Sequence, residues 1–245
     1  MNTDKNTPTG DQNNIENLSG PLKNIVENLQ WYGQSSIRIP FDNKLIYIDP
    51  YQLTDNEQAD LVLITHPHFD HFTIEEINKI ANHHTLICAP KECCEKLQSQ
   101  GYTNCIEVLP AQSLSFETII PKLSIETVPA YNTTKPNHPK DKNWVGYNLN
   151  LDGVKIYHPG DTNRIPEMKT FTCDLAFMPL GQTYTMQNVE EAANAILDVQ
   201  AKVAIPIHYG IYEGDEESAL QLKKLLTGKL ITVIKEPKTK LQAIH

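Results

Sequence analysis

Short apolar runs separated by turn residues recur along most of this chain. In the first half, strands are predicted at residues 29–32, 36–39, 44–48, 61–64, 85–89, 106–108, 114–116 and 123–128. The isoleucines of residues 74–80 instead follow helical spacing, and residues 91–98 predict a second short helix. Thr73 and Glu76 match the capping-box pattern, so the first helix is expected to begin directly after Thr73.

The second half of the chain continues this pattern. A hairpin is predicted from residues 145–149 and 154–157 across Asp152-Gly153, which is a strong turn signal. Strand and helix signals then alternate at residues 174–179, 189–196, 203–207, 216–226 and 230–234. Asn188, with Glu191 three residues later, is the predicted cap of the helix at 189–196. This order of elements predicts an α+β fold in which two β-sheets pack face to face with helices outside.

Five of the apolar strands lead into a polar side chain that could take part in chemistry. These side chains are Asp49, His66, Asn132, His158 and His208. Proteins of mixed α and β structure build their sites from residues at strand ends along one edge of a sheet. The sequence therefore predicts a functional site at such an edge, with His158 expected to be a buried neighbour rather than a ligand.

The densest cluster of such residues lies in the loop between the strand at 61–64 and the helix at 74–80. Here His66, His68, Asp70 and His71 bring three imidazoles and a carboxylate into one short segment. These groups are the usual ligands of zinc. His66 and His68 are two residues apart, so on an extended segment they point the same way and can hold one ion. Asp70 and His71 can then face a second ion.

Composition and charge limit the remaining possibilities. With 245 residues, 40% hydrophobic and 21% charged, the chain can bury one full core. Residues 1–21 are polar and predict a flexible tail, which leaves residues 22–245 as the folded domain. The net charge of −9 argues against binding to nucleic acid or to an anionic membrane.

The same composition bears on location. No apolar run is long enough to cross a bilayer, and the first 20 residues lack the pattern of a signal peptide, so a cytoplasmic protein is expected. The five cysteines lack zinc-finger spacing and are expected to be reduced thiols. A homo-oligomer is left open.

The HxHxDH spacing of His66, His68, Asp70 and His71 resembles the metallo-β-lactamase superfamily of metal-dependent hydrolases. Later segments narrow the resemblance to its ascorbate-6-phosphate-lactonase-like branch. The resemblance covers residues 22–234 and implies an αβ/βα four-layer sandwich of two mixed β-sheets with outer helices.

The resemblance also implies roles for individual residues. Asp161, in the Gly-Asp-Thr triplet that ends a strand, matches the carboxylate that two metal ions share, and His208 matches the final metal histidine. Asp49 matches a carboxylate that orients a ligand imidazole, although an ordinary turn aspartate before Pro50 is an equally good interpretation. Tyr184, in the loop that flanks the pocket of similar hydrolases, is a candidate substrate contact, although aromatic packing is the better interpretation of this residue.

The sequence departs from the family pattern at two positions. Asn132 stands where similar hydrolases have the third histidine of the first metal site, and Gln34 replaces a histidine near the start. Either Asn132 lends a weaker amide oxygen or His138 completes the first site; imidazole is the better zinc ligand, which favours His138. Asn132 would then be a candidate substrate contact, and Gln34 is expected to have little role.

The implied chemistry is hydrolysis of a small molecule with two divalent metal ions. Zinc is the first choice of metal, and manganese or iron also suits the mixed nitrogen and oxygen ligands. A hydroxide shared by the two ions would attack a lactone carbonyl or a phosphodiester, with Asp70 orienting it and carrying a proton to the leaving group. The alternative is a metal-binding sensor or scaffold without turnover, which the loss of the third histidine at Asn132 makes conceivable.

Overall fold

A computed structural model of the chain describes residues 15–238 and contains two β-sheets that pack face to face. The predicted fold class, an α+β sandwich of two mixed sheets with helices outside, is confirmed. Most of the predicted tail, residues 1–14, lies outside the described residues. The described part starts with a 3-10 helix at Ile15–Asn17 and helix α1 (Gly20–Asn28), and the division at residue 21 stays a prediction.

The first sheet has six strands, and their order in space is their order in the chain. They are β1 (Gln30–Gly33), β2 (Ser36–Phe41), β3 (Lys44–Ile48), β4 (Leu61–Leu63), β5 (Leu86–Ala89) and β6 (Cys105–Glu107). Strands β1 to β3 are antiparallel, whereas β3 to β6 run parallel. Parallel neighbours need a connection that crosses back, and the segments that hold α2 (Ile74–Ile80) and α3 (Lys91–Ser99) provide two of these connections.

The second sheet has seven strands in the order β13-β12-β11-β10-β9-β8-β7. They are β7 (Ser113–Ser115), β8 (Leu123–Pro129), β9 (Val145–Leu151), β10 (Val154–His158), β11 (Leu175–Pro179), β12 (Val203–Ile207) and β13 (Ile231–Thr232). Strands β10 to β13 are parallel, with α4 (Val189–Asp198) and α5 (Glu216–Leu226) between them in the chain. Strands β8, β10, β11 and β12 therefore all end at the same edge of the sheet.

Alternation along the strands decides which core each side chain joins. On β4, Leu61 and Leu63 belong to the large core that includes both sheets, whereas Val62 belongs to the smaller core beneath α2 and α3. Both faces of this strand are buried. Successive side chains of a strand point to opposite faces, so an unbroken apolar run is required wherever both faces are covered.

Helix ends follow the predicted caps with one difference. The side chains of Thr73 and Asn188 accept hydrogen bonds from the backbone amides of Glu76 (3.2 Å) and Glu191 (2.7 Å). The carboxylate of Glu76 does not reach back to its own cap, because it accepts from the backbone amide of Leu53 at 3.1 Å. Of the two hydrogen bonds of the predicted capping box, only the one accepted by Thr73 forms. The carboxylate of Glu76 instead links α2 to the segment after β3.

The expectation of five reduced thiols is wrong for two of them. Cys94 on α3 and Cys105 on β6 form a disulfide, with Cα atoms 5.9 Å apart. The two residues are 11 positions apart in the chain, and the packing of α3 against the edge strand brings them within the reach of a disulfide. Cys88, Cys93 and Cys173 are buried free thiols. Among the described helices, none combines the length and hydropathy that a membrane span requires.

Candidate metal centre

The loop after β4 carries its histidines in a tight turn that leads into α2. The backbone amides of His71 and Phe72 both donate to the carbonyl of His68, at 3.0 and 2.9 Å. The backbone amide and hydroxyl of Thr65, which starts the loop, donate to the carboxylate of Asp49 at 2.8 and 2.6 Å. The backbone of this loop is therefore held by its own turn and by Asp49, which follows the neighbouring strand β3.

The first donor group consists of His66, His68 and His138, with one oxygen of Asp161. His66 Nε2 lies 3.1 Å from His68 Nδ1 and 3.2 Å from His138 Nε2. Asp161 Oδ2 lies 3.6 Å from His138 Nε2 and 3.9 Å from His66 Nε2. Three imidazole nitrogens therefore converge beside a carboxylate, and these atoms lie within 4.8 Å of one another.

The second donor group consists of Asp70, His71 and His208. The Nε2 atoms of His71 and His208 lie 3.7 and 3.5 Å from Asp70 Oδ2. The same two nitrogens each lie 3.2 Å from Asp161 Oδ1. All three residues are buried.

Asp161 lies between the two donor groups and gives one oxygen to each. Its loop reaches this position because Gly160, at φ +63°, allows a close approach: a Cβ there would lie 2.9 Å from the Cβ of Thr65. Asp161 Oδ1 and His71 Nε2 are buried without a hydrogen-bond partner, although they are only 3.2 Å apart. Such polar atoms would normally be hydrogen-bonded. Their convergence and the nitrogen and oxygen donors fit divalent cations.

The two donor groups differ in their electrostatics. In the first, burial lowers the pKa of His66 well below its usual value and that of His138 to about 4, so these imidazoles are neutral and able to coordinate. In the second, burial acts in the same direction on His71. There the carboxylates of Asp161, Asp70 and Asp49 outweigh it and raise the pKa of His71 to about 10.

The carboxylates of the centre remain ionised despite their burial. Burial opposes ionisation of Asp161, but the neighbouring His208 and His71 hold its pKa well below the usual range. Asp70 behaves in the same way. Burial raises its pKa, but His71 and His208 have the larger effect, so the net shift of the pKa is downward. In the second donor group, the negative charge of the carboxylates is therefore balanced by protons on the histidines. A divalent cation that bound there would displace these protons.

Buried polar residues hold the second donor group from behind. Asp49 Oδ2 lies 2.7 Å from His71 Nδ1, which directs Nε2 toward Asp161. Asp49 therefore lies where the resemblance implied. Glu213 Oε1 lies 3.0 Å from His208 Nδ1, and its other oxygen accepts from the backbone amides of Thr183 and Tyr184 at 2.7 Å each.

Gln34 is fully buried, and its side chain contacts the second donor group. Gln34 Nε2 donates to Asp70 Oδ2 at 3.0 Å, and the Gln34 carbonyl accepts from the backbone amide of His208 at 2.8 Å. The expectation that this side chain has little role is therefore at odds with its contacts. The replacement of histidine by glutamine keeps a hydrogen-bond donor at the position.

The loop between β8 and β9 brings His138, and not Asn132, into the first donor group. The backbone amide of Asn132 donates to the carbonyl of His138 at 2.7 Å, which folds the loop back on itself. Asn132 Oδ1 lies 3.3 Å from His138 Nδ1 and so orients that ring from behind. Trp144 packs beside the first donor group, with its ring centroid 5.1–5.2 Å from those of the three histidines.

The two candidate substrate contacts differ in their position relative to the cavity. Tyr184 is 40% exposed and lines the cavity beside the two donor groups, whereas Asn132 is not among the lining residues. Their roles as substrate contacts stay predictions. His158 is buried and contacts the carbonyl of Ser35 through Nε2 at 2.8 Å, as expected of a structural neighbour.

Three residues of the site escaped sequence reasoning: Glu213, Phe69 and Tyr212. Phe69 lies inside the histidine motif, between His68 and Asp70, and it lines the cavity. Glu213 has no local signature. Its position depends on Gly181, since a Cβ at that residue would lie 1.5 Å from Glu213 Oε1.

Comparisons with known proteins agree with this geometry. The model of the β-lactamase superfamily domain matches residues 28–208. The chain is 33% identical over 205 residues to a UPF0173 metal-dependent hydrolase of Thermoplasma acidophilum. This match covers 77% of this chain and 86% of the relative.

Two solved structures are also similar. A protein from Parabacteroides distasonis described as a metal-dependent hydrolase is 33% identical, with a TM-score of 0.75, and the match covers 85% of this chain and 92% of that one. A metallo hydrolase from Ignicoccus hospitalis shares the fold, with 24% identity, a TM-score of 0.72 and coverage of 85% and 94%.

Proposed function

Because the chain belongs to the β-lactamase superfamily and is a metal-dependent hydrolase, we propose that it uses two divalent cations to cleave an ester-type bond in a small molecule. The bond would be that of a lactone or a phosphodiester. The observation that carries this proposal is the position of Asp161, whose two oxygens face different donor groups. A carboxylate shared in this way supports two cations rather than one.

The residues that would hold the cations follow from the two donor groups. His66, His68 and His138 would hold the first cation, and Asp70, His71 and His208 the second, with Asp161 between them. Two bound cations would supply the positive charge that makes a water molecule acidic near neutral pH. Zinc suits the imidazole-rich first group, and manganese or iron also suits the second.

Asp70 is the residue best placed to move a proton. It lines the cavity beside the donor groups and is 8% exposed, so it can touch a substrate. Hydrolysis of a lactone adds water to the carbonyl carbon and breaks the ring C–O bond. One proton of that water must then reach the leaving oxygen. Asp70 can accept and return this proton, while Gln34 fixes its orientation through the hydrogen bond to Oδ2.

A metal-binding sensor or scaffold without turnover is not favoured by any contact among residues 15–238. That alternative depended on an incomplete first group, and His138 lies 3.2 Å from His66 at the position in question. The cavity beside the donor groups also gives a small molecule access to them. We therefore propose hydrolysis alone.

Metal content and turnover measured on one preparation test the proposal. We expect about two ions per chain, loss of lactone or phosphodiester hydrolysis after chelation, and its recovery when about two equivalents of metal are returned. As a control, the double variant His83→Ala/His84→Ala removes an exposed pair of imidazoles with ring centroids 3.8 Å apart, which should change neither count nor rate. Full turnover with a single ion, or none with two, would contradict the proposal.

A further inference from the structure

The cavity beside the two donor groups has an aromatic side. Its volume is about 280 Å³. Four of its lining residues are members of the donor groups or Asp161, and the others are Phe69, Asn137, Tyr184 and Tyr212. Three of these four are aromatic. Cavities that bind small molecules usually combine such apolar walls with a few polar groups that fix orientation.

Phe69 is exposed but held in place. It stands between His68 and Asp70 in the metal loop, and it is 59% exposed. The ring of Tyr212 meets it edge-on at 5.4 Å, and the ring of Tyr51 does so at 6.2 Å. The hydroxyls of the two tyrosines are 2.5 Å apart. A phenylalanine fixed in this way offers a preformed apolar surface directly beside the metal ligands.

None of the eight residues that line this cavity in the described part of the chain is lysine or arginine. The basic side chains of the lining are His68 and His208, and both belong to the donor groups. Lys135, two residues from Asn137, has its ammonium group bound by the carbonyls of Gln182 (2.7 Å), Thr185 (2.6 Å) and Met186 (3.0 Å). A phosphate or carboxylate remote from the cleaved bond would therefore find no cationic partner there, whereas such groups are normally bound by arginine, lysine or helix N-termini.

We propose that the substrate is an uncharged ester or lactone whose apolar ring packs on Phe69 and Tyr212, with no anionic group remote from the bond cleaved. This inference rests on the proposed function and narrows it. The volume of about 280 Å³ lies just below the usual range for small-molecule sites, which suits a small substrate with one ring beside the reacting group. The resemblance to ascorbate-6-phosphate lactonases implies a phosphorylated lactone. Such a substrate fits this lining poorly, because no lysine or arginine lines the cavity to bind its phosphate.

Three δ-lactones separate these possibilities. Dihydrocoumarin carries an apolar aromatic ring, δ-valerolactone is aliphatic and uncharged, and phosphogluconolactone carries a remote phosphate. We expect kcat/KM, divided by each lactone's own rate with hydroxide, to be at least about tenfold higher for dihydrocoumarin than for phosphogluconolactone. A preference for phosphogluconolactone, or equal normalised values, would overturn the inference and leave the proposed function intact.

The variant Phe69→Ala tests the wall itself. It should raise KM for dihydrocoumarin by about tenfold and for δ-valerolactone by less, with metal content preserved. The matched control is Leu220→Ala, which removes a side chain of similar exposure (55%) on α5 and should change neither value. Equal effects on both lactones would refute the assigned role of Phe69.

Binding without turnover distinguishes the two proposals. The lactam analogue of dihydrocoumarin keeps the ring but resists hydrolysis, and its affinity for wild type and Phe69→Ala can be measured by calorimetry. If neither a lactone nor a model phosphodiester is hydrolysed but the lactam binds about tenfold more weakly to Phe69→Ala, the proposed function fails and the aromatic site stands. If the lactam binds both proteins equally or neither, the aromatic site is wrong whatever the turnover.

Discussion

The two donor groups differ in how many carboxylates surround their imidazoles. The first group has three imidazoles beside one carboxylate, whereas the two imidazoles of the second lie beside two carboxylates. His66, His68 and His138 share only one oxygen of Asp161, whereas His71 and His208 lie beside the carboxylates of both Asp70 and Asp161. Burial keeps the first set neutral, with the pKa of His138 lowered to about 4. In the second set, the carboxylates raise the pKa of His71 to about 10.

The two groups also differ in what stands behind them. Asp49, Glu213 and Gln34 contact members of the second group through hydrogen-bonding or ion-pair distances of 2.7–3.0 Å. The first group is packed against Trp144 and is oriented at His138 by Asn132. Outer partners of this kind fix ring orientation and metal affinity. The second group is therefore the more charged half of the centre and is held by more polar contacts from behind.

Asp161→Asn should have the largest effect, since it removes the one charge that both groups share. The amide keeps the shape of the side chain, so the fold should be retained. We expect the metal content to fall to at most about one ion and turnover to fall by at least about 1000-fold. Asp141→Asn, at an exposed carboxylate, is the control and should match wild type. Two retained ions and an unchanged rate would show that the groups do not share Asp161.

His138→Ala should affect the first group alone. We expect loss of about one ion and a fall in turnover of about 100-fold, while the second ion stays bound. Added imidazole should restore part of the rate by filling the vacated space. Asn132→Ala, which removes only the contact behind His138, should cost about tenfold or less and keep both ions. If Asn132→Ala proves the more damaging change, the amide rather than the imidazole completes the first group.

Glu213→Gln should weaken the second group without affecting the first. The change removes the negative charge 3.0 Å from His208 Nδ1 and keeps the length of the side chain. We expect about a tenfold loss of affinity for one of the two ions, measured by titration against a competing chelator. Equal weakening of both ions would mean that Glu213 supports the fold of the loop rather than the second group.

Gln34→Ala should have the smallest effect. It removes one hydrogen bond to Asp70, so turnover should fall by about threefold to tenfold with both ions retained. Gln34→His, which introduces the residue found in similar hydrolases, should recover most of the rate. Loss of an ion in Gln34→Ala would instead show that Gln34 takes part in binding the metal.

The sequence predicted the elements well because their signals are local. Alternation and short apolar runs located β2, β3 and β10, and the caps at Thr73 and Asn188 located α2 and α4. Each of these signals acts over a few neighbouring residues. The Cys94–Cys105 disulfide and the contact of Glu76 with Leu53 were not foreseen, because both link segments that meet only when α2 and α3 pack.

Signals in the sequence were enough to predict the α+β sandwich, a candidate metal site in the loop at His66, and the strand ends that carry Asp161 and His208. The packed structure was needed to bring His138, and not Asn132, beside His66, and to place Gln34 and Glu213 behind the second group. These contacts join segments that are far apart in the chain. His138 meets His66 across 72 residues, and that meeting depends on how two sheets pack and how one loop folds back, which no neighbouring residues encode.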